Sequence, residues 1–491
     1  MSDSSVEILR TSETFQIKVM PGKPPSVVAK WRDSDSEGYI ELDSLRTRTL
    51  HALVRLLRTN RLTRIDEFKL LGEYLFVSLF GPTPSDRGPR GLFMRAIKAP
   101  PLPGELKRRL MQVSLEIDAS VEHLSSWPWE YLYVPEEQND RNTDFFLGDR
   151  PNFMLSRRHP LSESEELEDI SPPLRILFVV LSPTGPDLRA PTAAPLPPIE
   201  YEAVLETLLK LRDREGSSRI DLRVLTEEHT DEGTRLPPDE VGRMTRATFG
   251  AFRGTVEDFE PNVVHIIGHG RHWYDESGIP AGQIAFPNTD STVHWFSDRE
   301  LADSMRDSRF LRLVFLQACE SAETQSSPYQ TISGLAQRLA QRGVPAIIAM
   351  HFRVEIRLAN EFARSFYDNL VQRAGVEVAM YHARRNVSVA EAQGEVERGA
   401  FGLPVLYLRE SGALLTPLEA AARRSRRPAA KSAAAGPARP VLPDGQRRGD
   451  QGSLHPAASG AERLQGASVI PREDTDWRAD QGLAAEYRER R

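Results

Sequence analysis

Residues 311–321 read LRLVFLQACES, an apolar run that leads into Cys319, the single cysteine of the 491-residue chain. About fifty residues upstream, the segment 263–270 reads VVHIIGHG and ends in a histidine between two glycines, His269. Both runs are typical of short strands that are buried on both faces. Similar runs alternate with helical patterns between residues 174 and 408. This alternation predicts β-α-β units in a doubly wound, mostly parallel sheet flanked by helices.

The carboxyl-terminal half contains most of the predicted elements. Strands are predicted at 174–181, 220–225, 263–267, 311–317, 346–350 and 404–408, with a hairpin at 283–286 and 293–295. Helices are predicted at 199–211, 238–252, 298–305, 332–341, 359–371 and 376–392. Upstream, alternating runs between residues 5 and 31 predict a small antiparallel sheet. Helices at 45–57 and 66–80 and a strand at 110–117 follow it.

Composition changes again near the carboxyl end. Residues 421–491 are rich in Ala, Arg, Pro, Gly and Ser and contain few aromatic residues, so they cannot bury enough apolar surface to fold. We therefore predict three parts: an N-terminal α+β portion (residues 1–170), an α/β domain (171–412) and a disordered tail (413–491).

Overall composition excludes several classes of protein. The formal net charge of −7 is small for this length and gives no reason to expect a nucleic-acid or membrane partner. A single cysteine excludes an intrachain disulfide framework and a cysteine-rich zinc site. No apolar run approaches the length of a membrane span, and the amino terminus lacks a signal-peptide pattern, so we expect a cytoplasmic protein.

His269 and Cys319 are the candidate catalytic residues. Both follow predicted strands, and the carboxyl ends of strands in an open α/β sheet converge on one edge. A free thiol is mostly protonated at neutral pH, and a neighbouring imidazole can take its proton to form the nucleophilic thiolate. We expect a sharp turn at Gly268 and Gly270 that leaves backbone N–H groups free to face an oxyanion.

These motifs resemble the CHAT family of caspase-like cysteine proteases. The resemblance rests on VVHIIGHG, LVFLQACES and SSWPWEYL (residues 125–132), and continues through GLAQRLAQRGVPAIIAM (334–350) and EFARSFYDNL (361–370). It spans roughly residues 45–410 and implies that the N-terminal portion is the front half of the same module. Residue by residue it implies a general base at His269, a nucleophile at Cys319, and an oxyanion hole formed by the N–H groups of Gly270 and Cys319. Glu320 and Ser321 depart from the caspase signature.

The same resemblance implies a substrate site near the nucleophile. Gln317, two residues before Cys319, lies where the S1 pocket is expected, and a neutral amide there favours a small or neutral P1 side chain. His351 and Arg353 follow the predicted strand 346–350, along which a substrate would bind as an added edge strand. Asp275, Glu320 and Glu323 are alternative sources of charge for the pocket.

The sequence also contains patterns that bear on other functions. His265, His269 and His272 form a set that suggests a metal site, but a strand that bends at Gly268 would not bring the first two to one face, so no metal and no cofactor are expected. His265 is predicted to be a hydrogen-bonded core residue. A Lys-Ser/Thr after GPRG (88–91) and a GxSxG elbow are both missing, which argues against nucleotide binding and an α/β-hydrolase.

By analogy with bacterial members of the family, the resemblance implies an effector of antiviral defence or regulated cell death. Its partner would be a protein substrate, for instance a gasdermin-like pore former encoded nearby, and a separate sensor protein would supply the trigger. The competing hypothesis is a catalytically inactive, caspase-like interaction scaffold.

Overall fold

The computed structural model describes residues 11–40, 43–82, 87–99, 110–136, 143–158, 170–189, 193–226, 246–274, 280–320, 335–336, 338–340, 343–350, 356–372, 375–396 and 398–409. The tail that we predict to be disordered lies outside these residues. Within them no helix is long and apolar enough to cross a membrane.

The strands are β1 (Thr11–Met20), β2 (Ser26–Trp31), β3 (Ser34–Tyr39), β4 (Leu110–Ile117), β5 (Tyr133–Val134), β6 (Phe145–Phe146), β7 (Phe153–Arg158), β8 (Leu174–Leu181), β9 (Ile220–Leu225), β10 (Val263–Tyr274), β11 (Pro280–Pro287), β12 (Val293–Ser297), β13 (Leu313–Glu320), β14 (Ala346–Met350) and β15 (Pro404–Leu408). The helices are α1 (Ser44–Arg58), α2 (Ile65–Phe80), α3 (Gly88–Lys98), α4 (Glu122–Ser125), α5 (Glu202–Glu215), α6 (Phe249–Phe259), α7 (Asp298–Met305), α8 (Ile356–Gln372) and α9 (Val376–Ala392).

In the described part of the chain, one sheet of thirteen strands dominates. Its main order is β12-β11-β10-β13-β14-β15-β7-β4-β1-β2-β3, with β8 paired to β10 and β9 paired to β8. The pairs around β10 and β13 are parallel except at the hairpin β11–β12 and at β15. The predicted fold class, a mostly parallel α/β sheet flanked by helices, is therefore confirmed.

Strand β10 changes partner along its length. Its first half pairs with β8 up to Gly268 opposite Leu181, and its second half pairs with β11 from Gly270 opposite Ile284 onward. On its other side it pairs with β13 from Val263 to Gly270. Because β8 and β11 diverge at this point, His269 lies at a fork in the sheet, the kind of position where ligands bind in open α/β folds.

Alternating side chains place two apolar cores on the faces of this half of the sheet. On one face, β10 and β13 contribute Val263, Ile267, Leu313 and Phe315, against which α5, α8 and α9 pack. On the other face, their neighbours Val264, Ile266, Val314 and Leu316 pack against α6 and α7. This division explains why the strands read as continuous apolar runs in the sequence.

The N-terminal portion continues the same sheet. We predicted a small antiparallel sheet, and β1–β2–β3 is antiparallel. In addition β1 pairs with β4 in parallel, β4 with β7, and β7 with β15. A third core, which includes Phe15, Phe68, Phe93 and Trp129, fills the space between these strands and helices α1–α3.

A buried ion pair ties this portion together. Arg157 of β7 donates from Nε to Glu130 Oε1 at 2.9 Å and from Nη2 to Glu130 Oε2 at 2.6 Å. It also donates to the carbonyl groups of Ser125 and Trp127. The SSWPWEYL segment is thus a structural anchor: Trp129 Nε1 donates to Leu124 O, and the Tyr131 hydroxyl donates to Gly399 O.

Several predicted boundaries were wrong. Within the range 238–252, where we predicted a helix, residues 246–248 are non-helical. Helix α6 begins after Thr248, whose hydroxyl accepts a hydrogen bond from Ala251 N. Helix α5 begins at Glu202 rather than at residue 199. Helix α3 and strand β7 were not predicted at all.

Candidate active site

The two candidate catalytic residues occupy paired positions on neighbouring strands. In the parallel register of β10 and β13, His269 is opposite Cys319, just as Gly268 is opposite Ala318. Paired positions of adjacent parallel strands belong to the same face of a sheet. That face is the one that carries α5, α8 and α9. Residues about fifty apart in the sequence therefore become immediate neighbours in the sheet.

His269 is held by a main-chain contact. Its Nε2 lies 2.7 Å from the carbonyl oxygen of Pro197, in the loop that connects β8 to α5. The imidazole is only 5% exposed, and its Nδ1 has no hydrogen-bond partner among the side chains and backbone that the structure describes. Burial lowers the pKa of His269, and the hydrogen bond to Pro197 opposes this shift. One ring nitrogen is thus oriented by the main chain, and the other has no partner within the described residues.

The expected sharp turn around His269 was wrong. Strand β10 runs on to Tyr274, and neither Gly268 nor Gly270 has a positive φ. Gly268 serves a different purpose, because a Cβ built there would lie 3.1 Å from Leu181 Cβ. A glycine is suited to this position because β8 approaches β10 closely just before the two strands part.

Two further polar side chains lie on the same face beneath the paired positions. His265 is fully buried, with its Nδ1 3.0 Å from the Tyr367 hydroxyl and its ring stacked on Phe315 at 4.1 Å. Gln317 is buried, two residues before Cys319. Burial lowers the pKa of His265 to about 3, and the nearby side chain of Gln317 opposes the shift. The prediction of a hydrogen-bonded core histidine at 265 is confirmed.

This arrangement corrects our argument about a metal site. Because β10 does not bend, His265 and His269 do share a face. However, His265 is hydrogen-bonded to the Tyr367 hydroxyl and His269 to the Pro197 carbonyl group. Among the described residues, no group of three or more His, Cys, Asp or Glu side chains could hold a metal ion.

The remaining predicted site residues are placed less completely. Gly270 lies at the fork, opposite Ile284 on one side and Glu320 on the other, and its role in an oxyanion hole stays a prediction. His351, Arg353, Asp275 and Glu323 lie outside the described residues. Gln317 is 5% exposed, and its role in an S1 pocket stays a prediction.

Sequence reasoning missed Pro197. Every residue type has a main-chain carbonyl group, so the identity of a residue does not predict that its carbonyl will contact a catalytic side chain. The only hint is its place in the loop after β8, the strand next to β10. That loop leaves the sheet at the fork where His269 lies, and loops of this kind form the binding crevice in open α/β sheets.

The fold is a mostly parallel α/β sheet flanked by helices. The CHAT domain family matches residues 90–440, and the chain belongs to that family. No curated protein matches the chain. Two crystal structures of the Saccharomyces cerevisiae separase–securin complex are similar, each at 10% identity over 80% of this chain, with TM-scores of 0.41 and 0.38. The chain spans 30% of the length of those matched chains.

Proposed function

We propose that this chain is a cysteine endopeptidase in which Cys319 is the nucleophile and His269 the general base. The observation that carries the proposal is the register that sets position 319 opposite His269, combined with the 2.7 Å contact of His269 Nε2 to Pro197 O. Family membership supports the same reaction class.

The contact with Pro197 supports Nδ1 of His269 as the basic nitrogen. A carbonyl oxygen only accepts hydrogen bonds, so we assign the proton of the neutral ring to Nε2, which donates a hydrogen bond to Pro197 O. A neutral imidazole with Nε2–H has its lone pair on Nδ1. Nδ1 is the nitrogen without a partner in the described structure, and it is therefore the proton acceptor in the proposed reaction.

The reaction then follows from these positions. Nδ1 takes the proton of the Cys319 thiol, and the thiolate attacks the carbonyl carbon of the scissile peptide bond. The tetrahedral oxyanion is stabilised by backbone N–H groups, for which we propose those of Gly270 and Cys319. The His269 imidazolium returns its proton to the leaving amine as the C–N bond breaks, which leaves a thioester that water hydrolyses with His269 again as base.

Pro197 contributes to this cycle by stabilising the charged state of His269. The hydrogen bond from Nε2–H to the carbonyl strengthens when the ring becomes an imidazolium, because hydrogen bonds from charged donors are stronger than neutral ones. It therefore favours the thiolate–imidazolium pair over the thiol–imidazole pair. Burial lowers the pKa of His269, and the hydrogen bond to Pro197 opposes that shift.

Substrate class and biological setting are further parts of the proposal. We propose a protein substrate with a small or neutral P1 side chain next to Gln317, and a role in antiviral defence or regulated cell death in the cytoplasm. Gasdermin-like pore formers encoded nearby are the first substrates to test, with a sensor protein as the upstream trigger. These statements rest on the family resemblance.

The test is cleavage of co-encoded proteins by the purified chain, with two variants. Cys319→Ala should abolish cleavage. His269→Gln should reduce it by about a hundredfold or more, the usual contribution of a general base. The glutamine is a sharp choice because its side-chain N–H group can still donate to Pro197 while no base remains at the Nδ1 position. Full activity in Cys319→Ala would disprove the proposal.

Thiol reactivity provides an independent readout that needs no substrate. Iodoacetamide should alkylate Cys319 at about pH 7, below the ordinary thiol pKa of about 8.5, and alkylation should slow in His269→Gln. An ordinary pH profile, unchanged by the histidine substitution, would favour the inactive scaffold instead.

A further inference from the structure

The loop that carries Pro197 is fastened to the β11–β12 hairpin. Gly185 N donates to Ser291 O at 2.9 Å, and Val293 N donates to Pro186 O at 3.1 Å. A Cβ at Gly185 would lie 2.6 Å from Ser291 O, so the two backbones meet there without room for a side chain. The described residues of the loop are 182–189 and 193–201. Through these contacts the loop packs on the β11–β12 hairpin next to the fork.

The outgoing and returning arms of this loop are also joined to each other. Asp187 N donates to Ala194 O at 3.2 Å, and Pro186 and Pro195 form an antiparallel bridge. Leu196 packs on the small apolar cluster of Ala285, Val293 and Trp295. Pro197 follows Leu196 directly. A shift in the position of Asp187 should therefore also shift the Pro197 carbonyl group that contacts His269.

Asp187 is a buried carboxylate at the centre of this arrangement. It is 3% exposed, its Oδ2 accepts from Trp295 Nε1 at 2.8 Å, and its Oδ1 accepts from Arg189 N at 3.0 Å. Arg271 Nη1 lies 3.9 Å from Oδ2. Burying a carboxylate is unfavourable unless donors surround it, so these contacts specify the position of the loop strongly.

Arg271 connects the same group to the strand of His269. It lies two residues after His269 on β10, with its guanidinium 4.1 Å from the centroid of the Trp295 ring and its Nε 2.8 Å from Gln283 Oε1. Burial lowers the pKa of Arg271 to about 10, against the attraction of Asp187, so Arg271 stays charged at neutral pH. Asp187 thus belongs to the loop that carries Pro197, and Arg271 belongs to β10, the strand that carries His269.

We propose that Asp187, Trp295 and Arg271, here named the Asp187 anchor, are positioning residues that set the Pro197 carbonyl against His269 Nε2. The anchor acts by fixing the tautomer of His269 and by supporting the imidazolium, and its importance for catalysis rests on the function proposed above. A displacement of the loop would leave the fold intact and remove the acceptor from Nε2.

The test uses Trp295→Phe, which removes the indole N–H and keeps an aromatic ring beneath Arg271. Trp129→Phe is the matched control, because Trp129 Nε1 also makes one buried hydrogen bond, at 2.8 Å to Leu124 O, in the N-terminal core. The first readout is the ring-nitrogen chemical shifts of His269, assigned by their loss in His269→Gln. We expect the Nε2–H tautomer to lose its dominance in Trp295→Phe and to be unchanged in Trp129→Phe.

The second readout is alkylation of Cys319. At about pH 7 the rate should fall about tenfold in Trp295→Phe, within the hundredfold that a displacement of about 1 Å can cause. At about pH 10, where an ordinary thiol is already ionised, the rate should equal that of the unchanged protein. General unfolding would change both rates, so this split separates positioning from structural damage. Asp187→Asn, with the shape of the side chain preserved, replaces Trp295→Phe if that variant does not fold.

The outcomes distinguish this inference from the proposed function. An unreactive Cys319 in the unchanged protein would disprove the proposed dyad, and the tautomer measurement would still decide whether the anchor holds His269. A reactive Cys319, with tautomer and alkylation alike in the Trp295 and Trp129 variants, would overturn the inference and leave the dyad standing.

Discussion

Two buried polar groups of this chain have opposite hydrogen-bonding patterns. At Arg157, all three side-chain nitrogens donate, two of them to the carboxylate of Glu130. Around His269, three buried atoms have no partner within the described part of the chain: His269 Nδ1, His265 Nε2 and Gln317 Oε1. Both groups are shielded from water. The Arg157 side chain donates from every nitrogen, whereas the group around His269 contains polar atoms without hydrogen-bond partners.

The difference separates a structural role from a chemical one. A buried polar atom without a partner is unfavourable by roughly 1–3 kcal/mol, so native proteins retain few of them. Each one that persists calls for an explanation, and beside a candidate nucleophile a catalytic role is one such explanation. We therefore expect substitutions at Arg157 to act on stability and substitutions at His269 to act on chemistry.

The largest expected effect is on the structural group. Arg157→Met should lower the free energy of unfolding by about 3–5 kcal/mol, because it leaves the Glu130 carboxylate buried without its counter-ion. Chemical denaturation followed by circular dichroism measures this. The double variant Glu130→Leu/Arg157→Met has no unpaired buried charge. Its free energy of unfolding should be at least about 1 kcal/mol higher than that of Arg157→Met. A double variant less stable than Arg157→Met would contradict this account of the ion pair.

A second effect, dependent on pH, should come from His265. Its pKa is about 3 in the folded protein and ordinary in the unfolded chain, so below about pH 6.5 the unfolded state binds a proton that the folded state rejects. Stability is complete above that value and declines by about 1.4 kcal/mol per pH unit as the pH falls towards 3. Because the pKa of His269 is also lowered, some slope should remain in His265→Gln, but urea titrations at several pH values should show that this variant has lost the His265 contribution. His294→Gln, at a partly exposed position, should retain it.

The third prediction concerns His269 itself and should be small in stability. His269→Gln keeps a donor for Pro197 and removes an unpartnered buried nitrogen, so the free energy of unfolding should change by less than about 1 kcal/mol. Activity should nevertheless be lost, as proposed above. A destabilisation comparable to that of Arg157→Met would mean that the two groups do not differ in the way we describe.

The smallest expected effect on stability concerns an exposed ion pair, which serves as a reference for the buried groups. Lys210 and Glu206 form an exposed pair on α5, with 2.7 Å between Nζ and Oε1. Lys210→Ala should change the free energy of unfolding by no more than about 0.5 kcal/mol, and the difference should shrink in high salt. A larger effect would show that denaturation of this protein responds to charge changes in general.

Much of this architecture could be predicted from local patterns. The strands at 174–181, 220–225 and 404–408 and the helix at 376–392 have the predicted boundaries, because strong apolar periodicity and buried packing agree there. Strand β7 was missed because FMLSRR ends in polar side chains that the Glu130 pair accommodates. Helix α3 was missed because Gly88 and Pro89 indicate a loop, although a proline is well suited to the first turn of a helix.

The site could be predicted only in part, and for a physical reason. Side-chain chemistry pointed to His269 and Cys319, and strand pairing brought the two positions together. The role of Pro197 depends on a main-chain oxygen, and the Asp187 anchor depends on contacts between residues about a hundred positions apart, such as Asp187 and Trp295. Neither leaves a periodic or compositional trace in a single sequence.

The order of the segments that meet at the fork has a consequence for synthesis on the ribosome. Pro197 and His269 emerge first, followed by the β11–β12 hairpin, and Cys319 emerges after them. Strand β13 then lies between β10 and β14, so its second neighbour is translated only after the cysteine. A nascent chain that stops before residue 319 contains His269 and no thiol. Under the proposed function, incomplete translation products cannot cleave their neighbours.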